Sequence, residues 1–329
     1  MKTVIVTGGS GYIGSAIVDV FLKQGYRVIN LDYHAKSEEK CNLISINVDI
    51  RDSVKLLSVF ERFMPIDCVI HCAGELGISR SYEEKELFYS QIVFATECIV
   101  NVMIQCKVSR LIFSSSAAVY SEKKMPIAET ECLNMAKMAP YSKYKYMCET
   151  KLLSMIESID VCVFRYFNVF GYNKDTNESM YNYLNCSNII PHLLYSAKYH
   201  TPFYINGKDY DTEDGTCVRD YIHVNDLALL HLKAYLCMQN GTWIKANNGV
   251  YNAGSGNPYS VYEIIDVVEK TSGQKIIKID HEARQGDVPY LCADLEKTRR
   301  VFNWEPQRSL ESSIQDMWHK YTENSICRA

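Results

Sequence analysis

Residues 3–14 read TVIVTGGSGYIG, a run of strand-forming residues that passes directly into a glycine-rich turn. Gly8, Gly11 and Gly14 follow the strand, and apolar residues at helical spacing come next. Glycine lets the chain turn tightly and lets a ligand approach the backbone, while the start of a helix offers free N–H groups and a positive dipole end. The stretch therefore predicts a turn that binds the pyrophosphate of a dinucleotide cofactor.

Strand and helix patterns continue to alternate through the first half of the chain. Six apolar runs are expected to be strands: Thr3–Thr7, Arg27–Leu31, Leu43–Val48, Cys68–His71, Arg110–Ser114 and Val161–Arg165. Long helical patterns cover Tyr82–Lys107 and Tyr141–Glu157. This alternation predicts an α/β fold with a doubly wound parallel sheet of the Rossmann type, which binds ligands at the carboxyl ends of its strands.

The second half is less regular and predicts a smaller C-terminal α/β lobe that binds the substrate. A helix is expected over Asn188–His200, whereas Tyr172–Ser187 is polar, has no helical period and is predicted to be a loop. We expect a cofactor-binding domain over residues 1–171 and a substrate lobe over 172–329. Residues 219–238 and 250–254 are expected to return to the first domain.

The composition excludes several classes of function. The chain has 329 residues and a net charge of −4, so no basic field favours nucleic acid or an anionic membrane. Its apolar runs look too short to span a bilayer, and it begins with a strand rather than a secretory signal. The 13 cysteines include no Cys-x-x-Cys pair, which argues against a zinc site. We therefore expect no metal, no nucleic-acid or membrane partner, and a location in the reducing cytoplasm.

Two acidic residues end the second and third predicted strands. Asp32 lies at the distance from the glycines where a carboxylate can accept hydrogen bonds from a ribose diol. The same carboxylate would repel a 2′-phosphate, so the sequence favours NAD over NADP. The alternative is that Asp32 only caps a turn. Asp49, together with Ile50, is placed to contact the adenine, although Asp often merely ends a strand.

A tyrosine and a lysine four residues apart form the candidate catalytic pair. Three such pairs occur in the chain: Tyr120/Lys124, Tyr141/Lys145 and Tyr204/Lys208. Only Tyr141 and Lys145 lie on a predicted helix, where both side chains share one face. The predicted strand before that helix ends in Ser114–Ser116, which would lie in the same cleft. The alternative is an ordinary surface pair on an amphipathic helix.

The pair predicts proton transfer coupled to hydride transfer. A tyrosine titrates near pH ~10, which is too high for a base at neutral pH. An adjacent ammonium and the positive ring of oxidised nicotinamide are expected to lower the pKa of Tyr141. The phenolate would then take the proton of a sugar hydroxyl while hydride leaves the carbon to NAD.

Several segments resemble known enzymes. Three resemble the extended short-chain dehydrogenase/reductase family: Thr7–Gly14, Ser114–Ser116 and Tyr141–Lys145. Four are similar to its UDP-glucose 4-epimerase branch: Arg165–Asn168, Asp209–Thr216, Val218–Val224 and Arg284–Asp287. The resemblance covers essentially the whole chain. It implies reversible C4 epimerisation of UDP-glucose and UDP-galactose through a 4-keto intermediate, with tightly bound NAD and a homodimer formed by the two long helices.

The resemblance also implies roles for individual residues. The residues implied to contact NAD are Gly8, Gly11, Tyr12, Ile13, Gly14, Asp32, Asp49, Ile50, Ala73, Gly74, Gln91, Tyr141, Lys145 and Phe167. The residues implied to be catalytic are Tyr141, Lys145 and Ser116. Those implied to bind the UDP-sugar are Ser116, Tyr141, Asn168, Asn188, Arg219, Arg284, Asp287 and Leu291. The arginines have independent support, because a diphosphate favours forked, permanently charged donors.

Other functions remain as alternatives. A nucleotide-sugar 4,6-dehydratase shares the oxidation but needs acids after the serine strand, where this chain has Ala117 and Ala118. A cofactor-sensing regulator would tend to lack the Tyr–Lys pair. Leu291 is intermediate in size between residues that exclude and admit N-acetyl groups, so UDP-N-acetylhexosamines are alternative substrates.

Local alternatives concern the acidic segment before Arg219. Asp209–Asp214 carries the charge of a calcium loop, but its glycine falls one place late and no closing glutamate follows, so we exclude calcium. Arg219 could instead pair with Asp214 or Asp220. Three residues depart from the family pattern near the predicted site: Leu76, Gln91 and Ala118.

Overall fold

The computed structural model describes residues 1–120, 126–172, 188–240, 243, 247 and 249–323. The strands are β1 (Thr3–Thr7), β2 (Arg27–Asp32), β3 (Glu38–Lys40), β4 (Leu43–Asn47), β5 (Cys68–His71), β6 (Arg110–Ser116), β7 (Asp160–Tyr166), β8 (Asn168–Phe170), β9 (Phe203–Asn206), β10 (Val218–His223), β11 (Gly249–Ala253), β12 (Pro258–Ser260), β13 (Lys278–His281) and β14 (Tyr290–Leu291). The α-helices are α1 (Tyr12–Lys23), α2 (Ser53–Phe63), α3 (Arg80–Glu83), α4 (Lys85–Tyr89), α5 (Ala95–Gln105), α6 (Pro140–Leu153), α7 (Ile189–Tyr199), α8 (Val224–Gln239), α9 (Val261–Ser272), α10 (Glu296–Phe302) and α11 (Leu310–Glu323). A π-helical segment, Ser90–Phe94, joins α4 to α5.

A large sheet forms the centre of the fold, with the strand order β11-β7-β6-β5-β1-β2-β4-β3. Its strand pairs are parallel except for the pair of β3 with β4. This confirms the predicted doubly wound parallel sheet. In the smaller sheets, β10 pairs with β8, β12 and β14, and β9 pairs with β13.

Both faces of the large sheet are buried, because successive residues of each strand point to opposite faces. In β1, Ile5 belongs to a first core with helices α2, α5 and α6. Val4 and Val6 belong to a second core with α1 and α8. A third core joins α7, α9 and α11 to the sheet around β10. Burial on both faces is the reason that the strands read as continuous apolar runs.

The two predicted lobes are joined by more than one crossing of the chain. β11 lies at the edge of the large sheet, and α8 packs on α1. β10 belongs instead to the second sheet, where it pairs with β8. Within residues 219–238, the helix therefore packs against the large sheet, whereas the strand is paired in the second sheet. The domain boundary at residue 171 stays a prediction.

Several boundaries differ from those expected from sequence. β6 continues through Ser116, two residues beyond the end expected at Ser114, so all three serines are strand residues. The helix expected over Tyr82–Lys107 is divided into α3, α4, the π-helical segment and α5. The sequence did not predict β3, because its three residues are all exposed and show no apolar alternation. Lys124 and residues 173–187 of the predicted loop lie outside the described residues.

The segment Lys85–Gln105 is long and apolar enough to cross a membrane by length and composition, with a mean hydropathy of 1.6. The expectation that every apolar run is too short to do so is therefore wrong for this segment. However, 56% of its apolar window is buried inside the fold, where Ile92, Ile99 and Met103 pack in the first core. Its apolar character is that of a helix covering a sheet.

We expect Phe164→Ala to destabilise the fold strongly. Phe164 on β7 is fully buried, and its ring lies 5.0 Å from the ring of His231 and 5.6 Å from that of Phe302. Loss of a buried ring leaves a cavity and lowers the free energy of unfolding by about 3–5 kcal/mol. Urea unfolding measures this loss.

Val54→Ala is the control for that experiment. Val54 lies on α2 and is 78% exposed, so the free energy of unfolding should change by less than about 0.5 kcal/mol. Similar losses in the two variants would contradict the assignment of Phe164 to a tightly packed core.

Candidate active site

The glycine-rich turn packs against the chain that follows β5. A Cβ atom built on Gly8 would lie 2.9 Å from Ala73 Cα, and one built on Gly14 would lie 2.1 Å from Gly8 O. Gly8 also has a left-handed φ of +70°, so both positions require glycine. Within the described ranges, a Cβ atom at Gly11 would meet only Gly8 O at 3.3 Å, and no side chain caps α1 there. The turn is therefore open at a helix start, as a bound pyrophosphate requires.

The first helical turn of α1 links the glycine-rich loop before it to residues near the end of the predicted first domain. Tyr12 Oη donates a hydrogen bond to Gly171 O at 2.7 Å. Ile13 is half-buried and packs against the second core. The roles of Tyr12 and Ile13 in cofactor binding stay predictions.

Asp32 ties the end of β2 to the glycine-rich turn. Its carboxylate accepts hydrogen bonds from Ser10 N at 3.1 Å and from His34 N at 2.8 Å. The alternative role of Asp32 as a turn cap accounts for these two bonds. Each carboxylate oxygen has a further lone pair, so the cap does not prevent binding of a ribose diol, and that role stays a prediction.

Asp49 forms an ion pair that sequence analysis missed. Arg51 Nε lies 2.9 Å from Asp49 Oδ1, and Arg51 Nη2 lies 2.5 Å from Asp49 Oδ2. These hydrogen bonds from the guanidinium hold the pKa of Asp49 below its ordinary value. Arg51 Nη1 also donates to Ser90 Oγ at 2.9 Å. Ile50 is buried in the first core, and the adenine contacts of Asp49 and Ile50 stay predictions.

Four predicted cofactor residues come together at the carboxyl end of β5. Ala73 N donates to Thr7 Oγ1 at 3.2 Å, which joins the ends of β5 and β1. A Cβ atom built on Gly74 would lie 3.6 Å from Lys145 Nζ and 3.8 Å from Gln91 O. Gln91 belongs to the π-helical segment, a helix distortion often found at functional sites. Residues from separate parts of the sequence thus share one location.

The candidate catalytic tyrosine lies in the first turn of α6. Pro140 starts this helix, and Tyr141 N donates to Ser81 Oγ at 3.1 Å, so the helix start is held in place. Tyr141 is 7% exposed, and its phenol lies near enough to the Ser116 side chain, at the end of β6, for that hydroxyl to influence its pKa. The structure therefore brings Tyr141 and Ser116 together, away from bulk solvent.

Lys145 is buried one helical turn after Tyr141. Its Nζ donates to Ser114 O at 2.7 Å and lies 5.0 Å from the centre of the Phe113 ring. Burial lowers the pKa of Lys145 below its ordinary value, because the ammonium loses water. The Lys145 ammonium thus lies between Ser114 of β6 and Gly74.

The pKa of the Tyr141 phenol shifts in the direction opposite to the one expected. Burial raises the pKa of Tyr141 above the ordinary value of 10.0, because the loss of water disfavours the phenolate, and the nearby Ser116 hydroxyl only partly offsets this. The expected lowering by Lys145 is therefore wrong for the protein alone, where the ammonium is bound to Ser114 O. In this state the phenol is neutral, and further positive charge beside it is needed to make it a base.

Phe167, Asn168 and Asn188 lie where the large sheet meets the second sheet. Phe167 is buried, and its N donates to Ala253 O of β11 at 3.0 Å. Asn168 begins β8, and Asn188 Nδ2 donates to Val169 O of the same strand at 3.0 Å. The structure thus places these three predicted residues around one strand.

Arg219 pairs with another predicted substrate residue, Asp287. Arg219 Nη2 lies 3.4 Å from Asp287 Oδ1, and Arg219 Nη1 donates to Val218 O at 2.9 Å. The alternative partners are engaged elsewhere: Asp214 accepts from a threonine and a serine, and Asp220 accepts from backbone amides. The alternative pairing of Arg219 is therefore wrong.

Leu291 lies opposite Arg219 in the parallel pairing of β14 with β10. Leu291 is buried and packs in a small apolar cluster with Phe167. Arg284 is exposed, and its O accepts from Asp287 N at 3.2 Å. Arg219, Asp287 and Leu291 thus form one group, with Arg284 beside it at the surface.

The comparison with known sequences agrees with this geometry. Residues 4–254 match the family described as "NAD dependent epimerase/dehydratase family". The chain is 34% identical to UDP-glucose 4-epimerase 2 of Arabidopsis thaliana, over 98% of this chain and 96% of that protein. It is 33% identical to the UDP-glucose 4-epimerase of Bacillus subtilis (strain 168), over 98% of this chain and 97% of that protein.

Solved structures share the whole fold. UDP-glucose 4-epimerase from Bifidobacterium longum in complex with NAD+ and UDP has a TM-score of 0.86 and 29% identity, over 98% of this chain and 99% of that chain. UDP-glucose 4-epimerase from Stenotrophomonas maltophila with bound NAD and formylated UDP-arabinopyranose has a TM-score of 0.87 and 27% identity, over 99% of this chain and 100% of that chain. The chain therefore belongs to the NAD dependent epimerase/dehydratase family.

Proposed function

We propose that this protein interconverts UDP-glucose and UDP-galactose by inversion at C4, with NAD as a tightly bound cofactor. The observation that carries the proposal is the placement of buried Tyr141 and Lys145 with half-buried Ser116 beside Gly74, at the carboxyl edge of the large sheet. Similarity over nearly the full length to UDP-glucose 4-epimerases supports this choice of reaction.

The carboxyl edge of the large sheet would hold NAD. The turn at Gly8, Gly11 and Gly14 fits the pyrophosphate, Asp32 is proposed to bind the ribose, and Gly74 lies beside the reacting groups. When bound, NAD supplies reversible hydride acceptance and, when oxidised, positive charge on its nicotinamide ring.

Tyr141 is placed to move the proton of the reacting hydroxyl. The space between the Tyr141 phenol and the nearby Ser116 hydroxyl is where the O4 hydroxyl of the sugar would bind. Lys145 supplies a cation that stabilises the phenolate once the proton has left. Because the same phenol can take and return the proton, one tyrosine serves both directions of a reversible inversion.

The second group of residues would anchor the nucleotide while the 4-keto sugar turns. Arg219 and Arg284 are proposed to bind the diphosphate, and Asn168 and Asn188 to bind the nucleotide sugar. The contact of Arg219 with Asp287 is long, at 3.4 Å, so a bidentate phosphate would compete for the guanidinium effectively. A fixed diphosphate would let the sugar present either face to the cofactor.

A dehydratase is disfavoured by the end of β6. Ala117 and Ala118 follow Ser116 in a short 3-10 turn and supply no acid for the loss of water. The carboxylate of Glu149 nearby is held by Arg165. A pure cofactor sensor is disfavoured because the Tyr–Lys pair is present and buried.

We also infer a homodimer formed through α4, α5 and α6. Four large apolar side chains on α4, the π-helical segment and α5 are between 36% and 47% exposed: Leu87, Tyr89, Phe94 and Ile104. A four-helix contact between two copies would bury them. The free cysteines of the described ranges support our further inference of a reducing, cytoplasmic location.

Tyr141→Phe should keep bound NAD and lose most of the rate. The substitution removes only the hydroxyl of a buried ring, so the fold and the glycine turn are unaffected. Loss of a general acid–base group lowers kcat by about 10²- to 10⁴-fold. A coupled assay of UDP-galactose conversion measures kcat, and the absorbance of released cofactor measures bound NAD.

Tyr144→Phe is the matched control, because Tyr144 lies on the same helix but is only half-buried and is outside the site. Its rate should equal that of the wild type. A normal rate in Tyr141→Phe would contradict the mechanism, and a dehydrated keto sugar made by the wild type would contradict the reaction.

A panel of UDP-sugars tests the substrate assignment. UDP-glucose should be a better substrate than UDP-N-acetylglucosamine, because buried Leu291 limits the space beside the sugar. Leu291→Ala should raise the relative kcat/KM for the N-acetylated sugar by about 10-fold, the discrimination that a few methyl groups provide. Equal turnover of the two sugars by the wild type would overturn this preference.

Phe94→Glu should convert the dimer to a monomer. A charge at the centre of an apolar contact would be buried without a partner, which strongly disfavours association. Light scattering coupled to size exclusion measures the molar mass. Val54→Glu is the control, because Val54 on α2 is exposed, and it should leave the molar mass unchanged. A monomeric wild type would refute the dimer.

A further inference from the structure

A buried ion pair lies beneath the second half of α6, the helix that carries Tyr141 at its start. Glu149, about two helical turns after Tyr141, is 1% exposed, and Arg165 on β7 is 3% exposed. Arg165 Nε lies 3.0 Å from Glu149 Oε1, and Arg165 Nη2 lies 2.6 Å from Glu149 Oε2. This forked, charge-assisted pair fixes the directions of both side chains.

The same carboxylate also holds the end of β6. Ser115 Oγ donates to Glu149 Oε1 at 2.5 Å. The carbonyl of Ser114 accepts a hydrogen bond from the Lys145 ammonium, and the side chain of Ser116 lies near the Tyr141 phenol. Glu149 therefore connects α6 to the strand segment that contacts both candidate catalytic groups.

The remaining side of Arg165 is packed against protein. Its guanidinium lies 4.7 Å from the centre of the Tyr120 ring, and Tyr120 Oη donates to Asn252 Oδ1 at 2.7 Å. In the part of the chain that the structure describes, Arg165 Nη1 is buried and has no hydrogen-bond partner. Such a donor is destabilising, and a buried ion pair is often no more stabilising than an apolar pair of similar size. Stability alone is therefore a weak reason for an ion pair at this place.

We propose that Glu149 and Arg165 are positioning residues, which set the depth and rotation of α6 against the end of β6. Tyr141, Lys145 and Glu149 recur every four residues and lie along one side of the helix, so fixing Glu149 also fixes the other two. Glu149 does not touch substrate itself, because its carboxylate is enclosed and bound by Arg165 and Ser115. This role rests on the proposed function of Tyr141 and Lys145.

Glu149→Gln tests the proposal. The amide keeps the size of the side chain but loses the charge and one acceptor, so it cannot hold Arg165 and Ser115 as the carboxylate does. We expect kcat per bound NAD to fall by about 10- to 100-fold, as when reacting groups are displaced by a fraction of an ångström. The KM for UDP-glucose should stay within about two-fold of the wild type, because ground-state binding is unaffected. With UDP-glucose deuterated at C4, the isotope effect on kcat should be at least as large as in the wild type.

Glu97→Gln is the matched control. Glu97 also pairs with α6, through Lys151 Nζ at 2.6 Å, but in the single chain these two side chains are 32% and 48% exposed. Exposed pairs contribute little, so kcat, KM and the isotope effect should equal those of the wild type. Hydrogen exchange of the amides of residues 141–149 is a readout independent of turnover. It should become faster in Glu149→Gln and not in Glu97→Gln.

If Glu149→Gln does not fold, Arg165→Lys takes its place, because lysine keeps the charge but loses the fork. A normal kcat per bound NAD in the folded variant would overturn the positioning role. So would a loss confined to KM or to the amount of bound NAD, or an isotope effect that falls toward one. Tyr141→Phe, assayed in parallel, separates the two hypotheses. If Tyr141→Phe is inactive and Glu149→Gln is fully active, only the positioning role fails. If Tyr141→Phe is fully active, the proposed function fails and the positioning role fails with it.

Discussion

The candidate site depends on the parallel pairing of β5 with β1 and β6. Thr7 lies opposite His71, and His71 lies opposite Phe113, so the residues that follow them leave the sheet at the same edge. The glycine-rich turn, Ala73–Gly74 and the serines of β6 are therefore brought together by backbone register. Helix α6 then adds Lys145 to this edge through a hydrogen bond to a strand carbonyl rather than to a side chain.

Much of this arrangement could be predicted from sequence, because local patterns determine it. Each of the patterns that predicted it extends over only a few residues: the apolar strands, the spacing of the glycines, and a proline at the start of α6. Contacts between distant segments could not be predicted in the same way. Arg51 reaches Ser90 of the π-helical segment, and Arg219 pairs with Asp287 rather than with the acids next to it. Sequence proximity suggested Asp214 and Asp220 as alternative partners for Arg219, but those acids hold turns and loops.

Electrostatics at the Tyr–Lys pair shows a second limit of sequence reasoning. Spacing alone places an ammonium near a phenol, but it does not show how much water the fold excludes. Burial shifts the pKa of Tyr141 upward and that of Lys145 downward, so both groups move toward their neutral forms. Acid–base competence in such a site is therefore linked to the charge of the ligand that occupies it.

The short pairing of β14 with β10 places Leu291 directly opposite Arg219. Leu291 is proposed to restrict the size of the sugar, and Arg219 is proposed to bind the diphosphate. The two residues are therefore held by one pair of hydrogen-bonded strands. Any displacement of one strand that widens the space for a larger hexose also moves the anchor of the nucleotide. If these roles hold, a shift of β14 that admits larger sugars would also weaken binding of the nucleotide. Truncation of the Leu291 side chain would instead leave the backbone of both strands, and with it the position of Arg219, in place.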